Sequence, residues 1–404
     1  MVVVAFLTQF MVTGFVFYSF AVILTHLADE FSGGDRTPIL ALQLGMGVAG
    51  IFMAPIIGRL AGQGWIRTLI GAGTVATGIG MILVARLDSL WWIGLVFATL
   101  LALGGNTMGG VTPTTLIVHW FDRRRATALG ASQLGASLGG MVMAPVAAWL
   151  VSAQGWRGAW EILGIAMLCL APLVWWLTVD RPEDRGQRPD GASVGGLGPE
   201  LFAGLAAAPE SARPVVLSTS RALREPNLWL IALATGISFM GTGALLNHIV
   251  AFGTDAGFSP ERAALLASLV AGGAGLGKLV WGWLCDRMGE SEALFASIVS
   301  QGIFLVGLTW VGSYSALAVV SLLTGIAIGG VLPLSSALMA RAFGRARFGA
   351  MVGLMWPIAI PPQLAGPILA AWIRDTSGSY DIAFQLFAVL LVLALVLVRA
   401  VRLP

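Results

Sequence analysis

The chain has 404 residues, of which 57% are hydrophobic and 11% are charged. An average soluble domain is about 45–50% apolar and about 25% charged, so the composition indicates an integral membrane protein and excludes an ordinary soluble domain. The net charge of +3 comes from arginines in the polar loops, a pattern typical of membrane topology rather than of a nucleic-acid-binding surface.

Apolar windows of about 20 residues, long enough to cross a bilayer as a helix, recur along the chain. We place them at 3–27, 38–60, 67–86, 90–119, 126–151, 158–178, 227–251, 263–285, 293–312, 315–340, 348–372 and 380–400. The middle segment, 180–226, is rich in Gly, Pro and charged residues, which indicates a linker. The sequence therefore predicts an all-α membrane protein of 12 transmembrane helices, with a six-helix half at 1–179, a linker at 180–226 and a second six-helix half at 227–404.

Arginines are divided unevenly between the two sets of loops that join these spans. Of the 23 Lys+Arg residues one is a lysine; one set of loops holds 17 of the arginines and the other set holds 5. Cytoplasmic loops carry an excess of basic residues, so the first set is predicted to be cytoplasmic, together with the linker and both termini. We refer to the two faces of the membrane as the arginine-rich side and the opposite side.

The two halves repeat each other at an offset of about 222 residues. Phe121, after the fourth span, matches Phe343, after the tenth, and Pro145 matches Pro367. Two equivalent six-helix halves are typical of transporters in which the halves rock about a substrate site at the middle of the membrane. We therefore expect two pseudo-symmetric six-helix bundles.

The only lysine of the chain, Lys278, lies inside the apolar eighth span. An ammonium in hydrocarbon costs about 2.5–3.5 kcal/mol on insertion scales, so such a charge marks a functional site unless it reaches the lipid head groups. Asp286, at the predicted membrane edge, is eight residues away, which is about 12 Å along a helix and a long reach for one side chain. The sequence therefore predicts that Lys278 binds substrate, and a lysine, unlike an arginine, can also release a proton.

Other polar and aromatic residues inside the spans are candidates for the substrate path. They are Tyr18, Asn106, Gln133 and Trp356 within spans, and Asn247 and His248 near the outer end of the seventh span. Hydrogen bonding between helices, interfacial anchoring and packing are the structural alternatives for the first four. A histidine side chain titrates near neutral pH, so His248 is also a candidate for proton entry. The spans contain no deeply placed Asp or Glu, so the sequence shows no carboxylate proton relay.

The residues after the eighth span read GWLCDRMG, from Gly282 to Gly289. This string resembles the GxxxDRxG signature of the major facilitator superfamily, which lies in the cytoplasmic loop after the second helix of each half. The resemblance implies the major facilitator fold and a gating role for Asp286 and Arg287, because a charge pair at a helix end can hold neighbouring helices in one state and release them in another. In the first half, Gly62 stands where the signature has Asp.

A narrower resemblance lies between the fourth and fifth spans. Residues 120–135 read WFDRRRATALGASQLG and resemble the signature of the monocarboxylate porters, with an aromatic-Phe pair, a basic triplet, and Ala-x-Gly followed by small residues. The triplet, Arg123, Arg124 and Arg125, fixes topology and is assigned to the gate with Asp286. Small residues at Gly135 and at position 139 would let helices approach closely.

The porter resemblance also implies a role for Lys278. In these porters a cation in the eighth span, four residues before the signature glycine, holds the substrate carboxylate, and Lys278 stands four residues before Gly282. The chain departs from the animal members at two positions. Ala274 replaces an acidic residue one turn before the cation, and the first span offers Tyr18 and Ser19 where those members have a lysine.

These observations predict a secondary active transporter that moves a small organic monoanion, such as lactate or pyruvate, by alternating access with proton linkage. One buried cation suits a monoanion better than a dianion, whose second charge would stay unpaired. We expect an inner (plasma) membrane location with the lipid bilayer, the organic acid and protons as partners. No cofactor, metal or nucleic acid is expected, and the chain length is ordinary for a monomeric transporter.

One alternative lies within transport, and two belong to other functional classes. The chain is also compatible with an exporter of drugs or lipophilic compounds, although the fourth span lacks the arginine typical of proton-coupled exporters. A transporter-like sensor would need an output domain, for which the linker is short. An enzyme would need a catalytic constellation, and the sequence has no HExxH, no paired intramembrane carboxylates and no Ser/His/Asp cluster.

Overall fold

The computed structural model describes residues 1–191 and 219–403, and ten helices in this part of the chain are long and apolar enough to cross a membrane. Two of them, Arg125–Leu177 and Tyr314–Ser377, have the length of two crossings. Each contains one glycine of positive φ, Gly155 (70°) and Gly344 (71°), where the backbone leaves the helical region. Divided there, the described helices are α1 Val2–Phe31, α2 Thr37–Gly62, α3 Ile66–Arg86, α4 Leu90–Trp120, α5 125–154, α6 156–177, α7 Pro226–Asp255, α8 Pro260–Met288, α9 Glu290–Trp310, α10 314–343, α11 345–377 and α12 Asp381–Arg399.

The predicted all-α membrane fold of twelve spans is confirmed, and each predicted span coincides with one of these helices. Several helices are longer than their apolar windows; α7, for example, ends at Asp255 rather than at 251. A helix can continue into polar surroundings because its backbone hydrogen bonds are made within the segment itself. Of the predicted linker, 192–218 lies outside the described residues, and the described parts carry a 3₁₀ turn at Pro182–Arg185 and a short helix at Thr219–Ala222.

Helices α1 and α4 contain segments with the wider π-helical winding. These are Val12–Tyr18 in α1 and Phe97–Leu101 and Asn106–Gly110 in α4. Short π-helical stretches are rare in proteins, and those that occur are often found at functional sites. Tyr18 ends the first segment and Asn106 begins the last, so two predicted site residues lie where the helix winding changes.

The chain forms two compact units. The first contains Met1–Arg123, the rest of the first half from Ser132 onward, and Arg345–Gly353; the second contains Arg124–Ala131 and the remainder of the second half. The first turns of α5 therefore belong to the second unit, and the first turns of α11 belong to the first. The predicted boundaries of the halves, at 179 and 227, stay a prediction.

Aromatic packing and backbone contact hold the first unit together. Phe20, Phe97 and Trp160 are at most 1% exposed, with ring centroids 5.3 Å apart for the two phenylalanines and 5.9 Å apart for Phe97 and Trp160. Between α1 and α5, a Cβ at Gly135 or Gly139 would collide with backbone atoms of α1. Such close approach of two helix backbones is the usual way in which membrane helices associate. The predicted role of these two glycines in helix contact is confirmed.

In the second unit, α8 is packed closely on α10. A Cβ at Gly277 would collide with the carbonyl oxygen of Ile326, and the indole Nε1 of Trp281 donates a hydrogen bond to the same oxygen at 3.0 Å. A Cβ at Gly273 would lie 3.1 Å from the Cα of Gly325. Glycines on both helices thus fix the position of α8, which carries Lys278.

Candidate functional site

Lys278 lies near the middle of α8. It is ten residues before Met288, so helical rise places its Cα about 15 Å from the arginine-rich end of the helix. The side chain is half-buried. This depth corresponds to the middle of a hydrocarbon layer about 30 Å thick.

Exposure along the face of α8 that carries Lys278 changes at this residue. Towards the opposite side of the membrane, Ala264 and Ala271 lie on the same face and are exposed. Towards the arginine-rich side, Gly282 and Cys285 lie on that face and are buried. Lys278 is therefore the deepest accessible residue of a face that is open from one side only.

The lipid-facing stripe of α8 is exposed along its length, unlike the face that carries Lys278. Leu265, Leu276 and Trp283, on the other face of the helix, are 55%, 55% and 48% exposed, and they span nearly the whole helix. A surface that meets lipid is exposed along the full crossing, as this stripe is. The one-sided face of Lys278 is consequently suited to a solute path rather than to lipid contact.

The first turns of α5 cover the Lys278 face on the arginine-rich side. A Cβ at Gly130 would collide with the backbone carbonyl of Lys278, and a Cβ at Gly282 would lie 2.7 Å from the carbonyl oxygen of Ala126. Glycine at both positions lets the two helix backbones touch. Gly130, inside the string that resembles the porter signature, thus lies directly beside the predicted substrate-binding lysine.

Asp286, at the end of α8, caps the start of α5. Its Oδ1 accepts a hydrogen bond from the backbone N–H of Ala126 at 3.0 Å. Its Oδ2 accepts from the backbone N–H and the hydroxyl of Thr127, at 3.0 and 2.5 Å. The first amides of a helix have no partner within the helix, and a negative charge there interacts favourably with the helix dipole. The Asp286 carboxylate therefore holds α5 against α8.

The neighbouring arginines contribute differently from Asp286. The Arg287 guanidinium lies 3.7 Å from the centroid of the Trp283 ring, in a cation–π contact within α8. Arg123 and Arg124 are exposed and Arg125 is half-buried. The backbone N–H of Arg123 donates to the carboxylate of Asp190, from the start of the linker, at 3.1 Å. Among the five residues predicted to form the gate, Asp286 joins α5 to α8 through its side chain.

We expect Asp286→Asn to weaken the contact between α5 and α8. The amide keeps one acceptor oxygen but loses the charge and one acceptor, and loss of a helix-capping group costs about 1 kcal/mol. The expected result is a melting temperature a few degrees lower in detergent, measured by scanning fluorimetry, with a changed uptake rate. Asp375→Asn, at an exposed position of α11, is the matched control. Equal melting temperatures for the two variants would contradict the capping role.

The corresponding place in the first half lacks a carboxylate. Gly62 ends α2, and a Cβ there would lie 3.8 Å from the carbonyl oxygen of Ala346 and 3.8 Å from the backbone nitrogen of Ala350, in α11. A Cβ at Gly349 would lie 2.6 Å from the carbonyl oxygen of Gly58, so α11 touches α2 through glycines as α5 touches α8. The start of α11 thus packs on α2 without the acidic cap that α5 receives.

This difference predicts that Gly62→Asp adds a second cap. The Cβ has ordinary van der Waals room, and the carboxylate would lie beside the first turns of α11, where a negative charge interacts favourably with the helix dipole. We expect the melting temperature to rise by a few degrees, corresponding to about 1 kcal/mol, and uptake to slow because the added contact has to break in each cycle. Gly62→Ala separates the effect of charge from that of the methyl group. An aspartate variant that melts at or below the alanine variant would refute the prediction.

Three predicted site residues lie in the first unit. Asn106 donates from Nδ2 to the carbonyl of Ala102 at 2.8 Å, and a Cβ at Gly50 of α2 would lie 2.9 Å from that nitrogen. The Tyr18 ring lies against Gly140 of α5, and the residue is 43% exposed. Gln133 is 1% exposed. Tyr18 and Asn106 therefore keep accessible surface, whereas Gln133 is enclosed by the helices around it.

Trp356, in the second unit, is half-buried and stacks on a ring that the sequence analysis did not single out. The centroids of Trp356 and Phe239, from α7, are 6.3 Å apart and the ring planes differ by 11°. An aromatic side chain in an apolar span gives no polar signal, so Phe239 was missed. Its position, near the middle of α7, is the only feature of the sequence by which it could have been found.

His248 joins α7 to α11 and α12 within the second unit. Its Nε2 is 3.0 Å from the carbonyl oxygen of Pro367, and its Nδ1 is 3.2 Å from the hydroxyl of Tyr380. A carbonyl only accepts, so this network assigns the hydrogen to Nε2, and Nδ1 accepts from the tyrosine. Asn247 is exposed and donates to the carbonyl of Gly243 in its own helix at 2.8 Å. The histidine is thus a helix-joining residue with both ring nitrogens engaged.

The start of the linker closes the arginine-rich end of the first unit. The Trp120 indole donates to the carbonyl of Val179 at 2.9 Å, and the Asp180 carboxylate accepts from the backbone N–H of Arg67 at 2.7 Å. Burial raises the pKa of the Asp180 carboxyl above its ordinary value. These contacts tie the linker to α3 and α4 rather than to the Lys278 face.

Comparison with known proteins finds one superfamily of membrane transporters. The family model of the Major Facilitator Superfamily matches residues 5–270 and 231–404. Human monocarboxylate transporter 11 is 26% identical over 89% of this chain and 74% of its own length, and mouse monocarboxylate transporter 12 is 24% identical over 86% and 74%. An MFS-type transporter of Gibberella moniliformis is 25% identical over 81% and 73%.

Solved structures match the whole chain. The Escherichia coli fucose:proton symporter FucP has a TM-score of 0.74 at 14% identity, covering 100% of this chain and 99% of that one. The human organic anion transporter MFSD10 has a TM-score of 0.68 at 17% identity, covering 98% of each chain. At these identities the likeness shows the fold alone.

Proposed function

The chain belongs to the Major Facilitator Superfamily, and from this premise we propose that it is a proton-linked transporter of a small organic monocarboxylate. The members and structural neighbours described above are transporters, so the protein is a transporter and not an enzyme. The observation that carries the choice of substrate class is Lys278, the only lysine, half-buried at mid-membrane depth on a one-sided accessible face. Relatives named as monocarboxylate transporters support the same class.

Recognition would depend on charge. The carboxylate enters along the accessible face of α8 and meets the Lys278 ammonium, with which it makes charge-assisted hydrogen bonds. Trp356 forms an apolar wall in the same unit as Lys278. Tyr18 and Asn106, the two candidates of the first unit with accessible surface, are the polar residues that we propose for substrate contact in that unit. Pairing with a monoanion neutralises the lysine, whereas a dianion would carry an unpaired charge into a medium of low dielectric.

The remaining candidates are assigned by their position. Gln133 acts indirectly, by holding the helices that enclose it. Asn247 and His248 contact the substrate as it enters from the opposite side of the membrane. Release towards the arginine-rich side requires α5 to leave α8 at Gly130, which breaks the hydrogen bonds of Asp286. Arg287 and the arginine triplet flank this contact. The proton crosses either on Lys278, on His248 or as part of the undissociated acid.

We place the protein in the inner (plasma) membrane, as a monomer, with both termini on the arginine-rich, cytoplasmic side. Multi-pass insertion follows from the family and the ten membrane-length helices of the described chain. The 17 to 5 division of arginines supports the orientation.

The test is uptake of radiolabelled lactate, pyruvate and acetate into proteoliposomes, with and without an inwardly directed proton gradient. We expect saturable uptake of at least one acid that the gradient stimulates and that a protonophore removes. Empty liposomes treated in the same way report diffusion of the undissociated acid. Uptake equal to that of empty liposomes for all three acids would contradict the proposal, and a drug-resistance assay in a pump-deficient host would then test the exporter alternative.

A further inference from the structure

Phe239 lies at the same depth in the membrane as Lys278. Helices α7 and α8 run antiparallel, and a Cβ at Gly253 of α7 would lie 3.0 Å from the Ala263 Cβ and 3.1 Å from Leu266 in α8. From this contact, Phe239 is about 21 Å back along α7 and Lys278 is about 22 Å along α8 by helical rise. The phenyl ring and the ammonium therefore belong to neighbouring helices at one level.

The face of α7 that carries Phe239 is accessible in the same one-sided way as the Lys278 face. Leu246 and Val250, towards the opposite side of the membrane, are 47% and 39% exposed. Ala232 and Leu228, on the same face towards the arginine-rich side, are 0% exposed. Phe239 is half-buried between them, so it is the deepest accessible residue of its face.

Close packing of α7 on α11 fixes the Phe239–Trp356 pair. A Cβ at Gly236 would lie 2.9 Å from the carbonyl oxygen of Ala359, and a Cβ at Gly366 would collide with the carbonyl of Met240. With the two backbones held in contact, the stacked rings form a flat apolar surface rather than two mobile side chains. Offset stacking of a ligand ring against such a surface adds to the gain from burial of apolar area.

The geometry points to a substrate that is an aromatic monocarboxylate, with its carboxylate on Lys278 and its ring against Phe239 and Trp356. This inference rests on the proposed function and narrows its substrate class from small organic acids to arylcarboxylates. The small side chains of α8 outward of the lysine, Ala264 and Ala271, leave width on the accessible face for a ring. An acid of two or three carbons would use the lysine and leave the Phe239 ring unused.

Binding to the purified protein tests the inference directly. The probes are phenylacetate, cyclohexylacetate of similar size without a π-system, acetate, and 2-phenylethanol without a charge, each titrated by thermal shift. We expect phenylacetate to bind at least tenfold more tightly than acetate and several-fold more tightly than cyclohexylacetate, and 2-phenylethanol to bind weakly. Equal affinities for phenylacetate and acetate would overturn the inference.

Variants of the aromatic pair supply the second measurement. Trp356→Leu and Phe239→Leu should each lower phenylacetate affinity about tenfold, and Phe239→Leu should leave the uptake of pyruvate or acetate unchanged. Trp372→Leu, at a 63% exposed position of α11, is the matched control for loss of an indole. If one variant fails to fold in size-exclusion chromatography, the other still decides.

The outcomes separate this inference from the proposed function. Gradient-driven pyruvate uptake that depends on Lys278, combined with unchanged phenylacetate affinity in both leucine variants, would overturn the aromatic subsite and leave the monocarboxylate transporter standing. Absence of both binding and uptake for every acid would overturn both. Phenylacetate binding that falls in both leucine variants and not in Trp372→Leu would support the inference.

Discussion

Lys278→Gln is expected to abolish saturable uptake of monocarboxylates. The substitution keeps a hydrogen-bond donor on a side chain one bond shorter but removes the charge that neutralises the substrate. Removal of one partner of a desolvated, hydrogen-bonded charge pair costs about 2–5 kcal/mol, so affinity should fall by a factor of about 30 to several thousand. Uptake by proteoliposomes at equal protein density, over a range of substrate concentrations, measures the loss.

Lys278→Arg is the matched control for this prediction. Arginine keeps the positive charge and brings the bidentate geometry that suits a carboxylate, so we expect substrate binding to persist. Because the guanidinium does not release its proton, a loss of gradient stimulation in this variant would assign the proton step to Lys278. Removal of a charge from the middle of the membrane should not impair folding of Lys278→Gln, and an unchanged melting temperature would establish this. Uptake by Lys278→Gln at the wild-type rate would refute the role.

Gly130→Leu is expected to reduce turnover at least tenfold. Any side chain at this position meets the backbone carbonyl of Lys278, and the two helices cannot close as they do in the wild type. Overpacking of this kind costs about 1–3 kcal/mol, which is enough to shift a balanced two-state equilibrium strongly away from the closed contact. The expected signature is loss of net uptake with phenylacetate or pyruvate binding largely retained, since the lysine side chain is unchanged.

Gly272→Leu is the control for added bulk. Gly272 lies on α8, is exposed and has no atom outside its local helix within 4 Å of a built Cβ, so a leucine there extends the lipid-facing stripe. We expect wild-type uptake from this variant. If Gly130→Leu also transports at the wild-type rate, the closed contact between α5 and α8 has no part in the cycle.

The fold could be predicted from the sequence because a bilayer leaves few choices to the backbone. With no water to bond exposed amides, each apolar window must be a helix, and twelve windows gave the twelve described helices. The prediction of the major facilitator family is confirmed, and relatives named as monocarboxylate transporters are 24–26% identical to the chain. Lys278 could be singled out because one charge in 23 apolar or small residues is visible without a structure.

The contacts of the site could not be predicted in the same way. Asp286 bonds amides of Ala126 and Thr127, which are 160 and 159 residues away, and no pattern in the sequence encodes that pairing. The approach of Gly130 to the Lys278 carbonyl depends on how α5 and α8 cross. Phe239 becomes a candidate for substrate contact only when its depth in the membrane and its stacking on Trp356 are known. Long-range packing, rather than local pattern, decides all of these.

The two helix junctions at Gly155 and Gly344 have a practical consequence for mapping the topology of the protein. At each, one residue of positive φ joins two crossings, and any other residue type would be strained there. An epitope inserted at these points would have no loop to enter and would break both helices. The turn between α7 and α8, with Ala256, Gly257 and Ser259 exposed, is the place where a tag should be tolerated and should report which side of the membrane it faces.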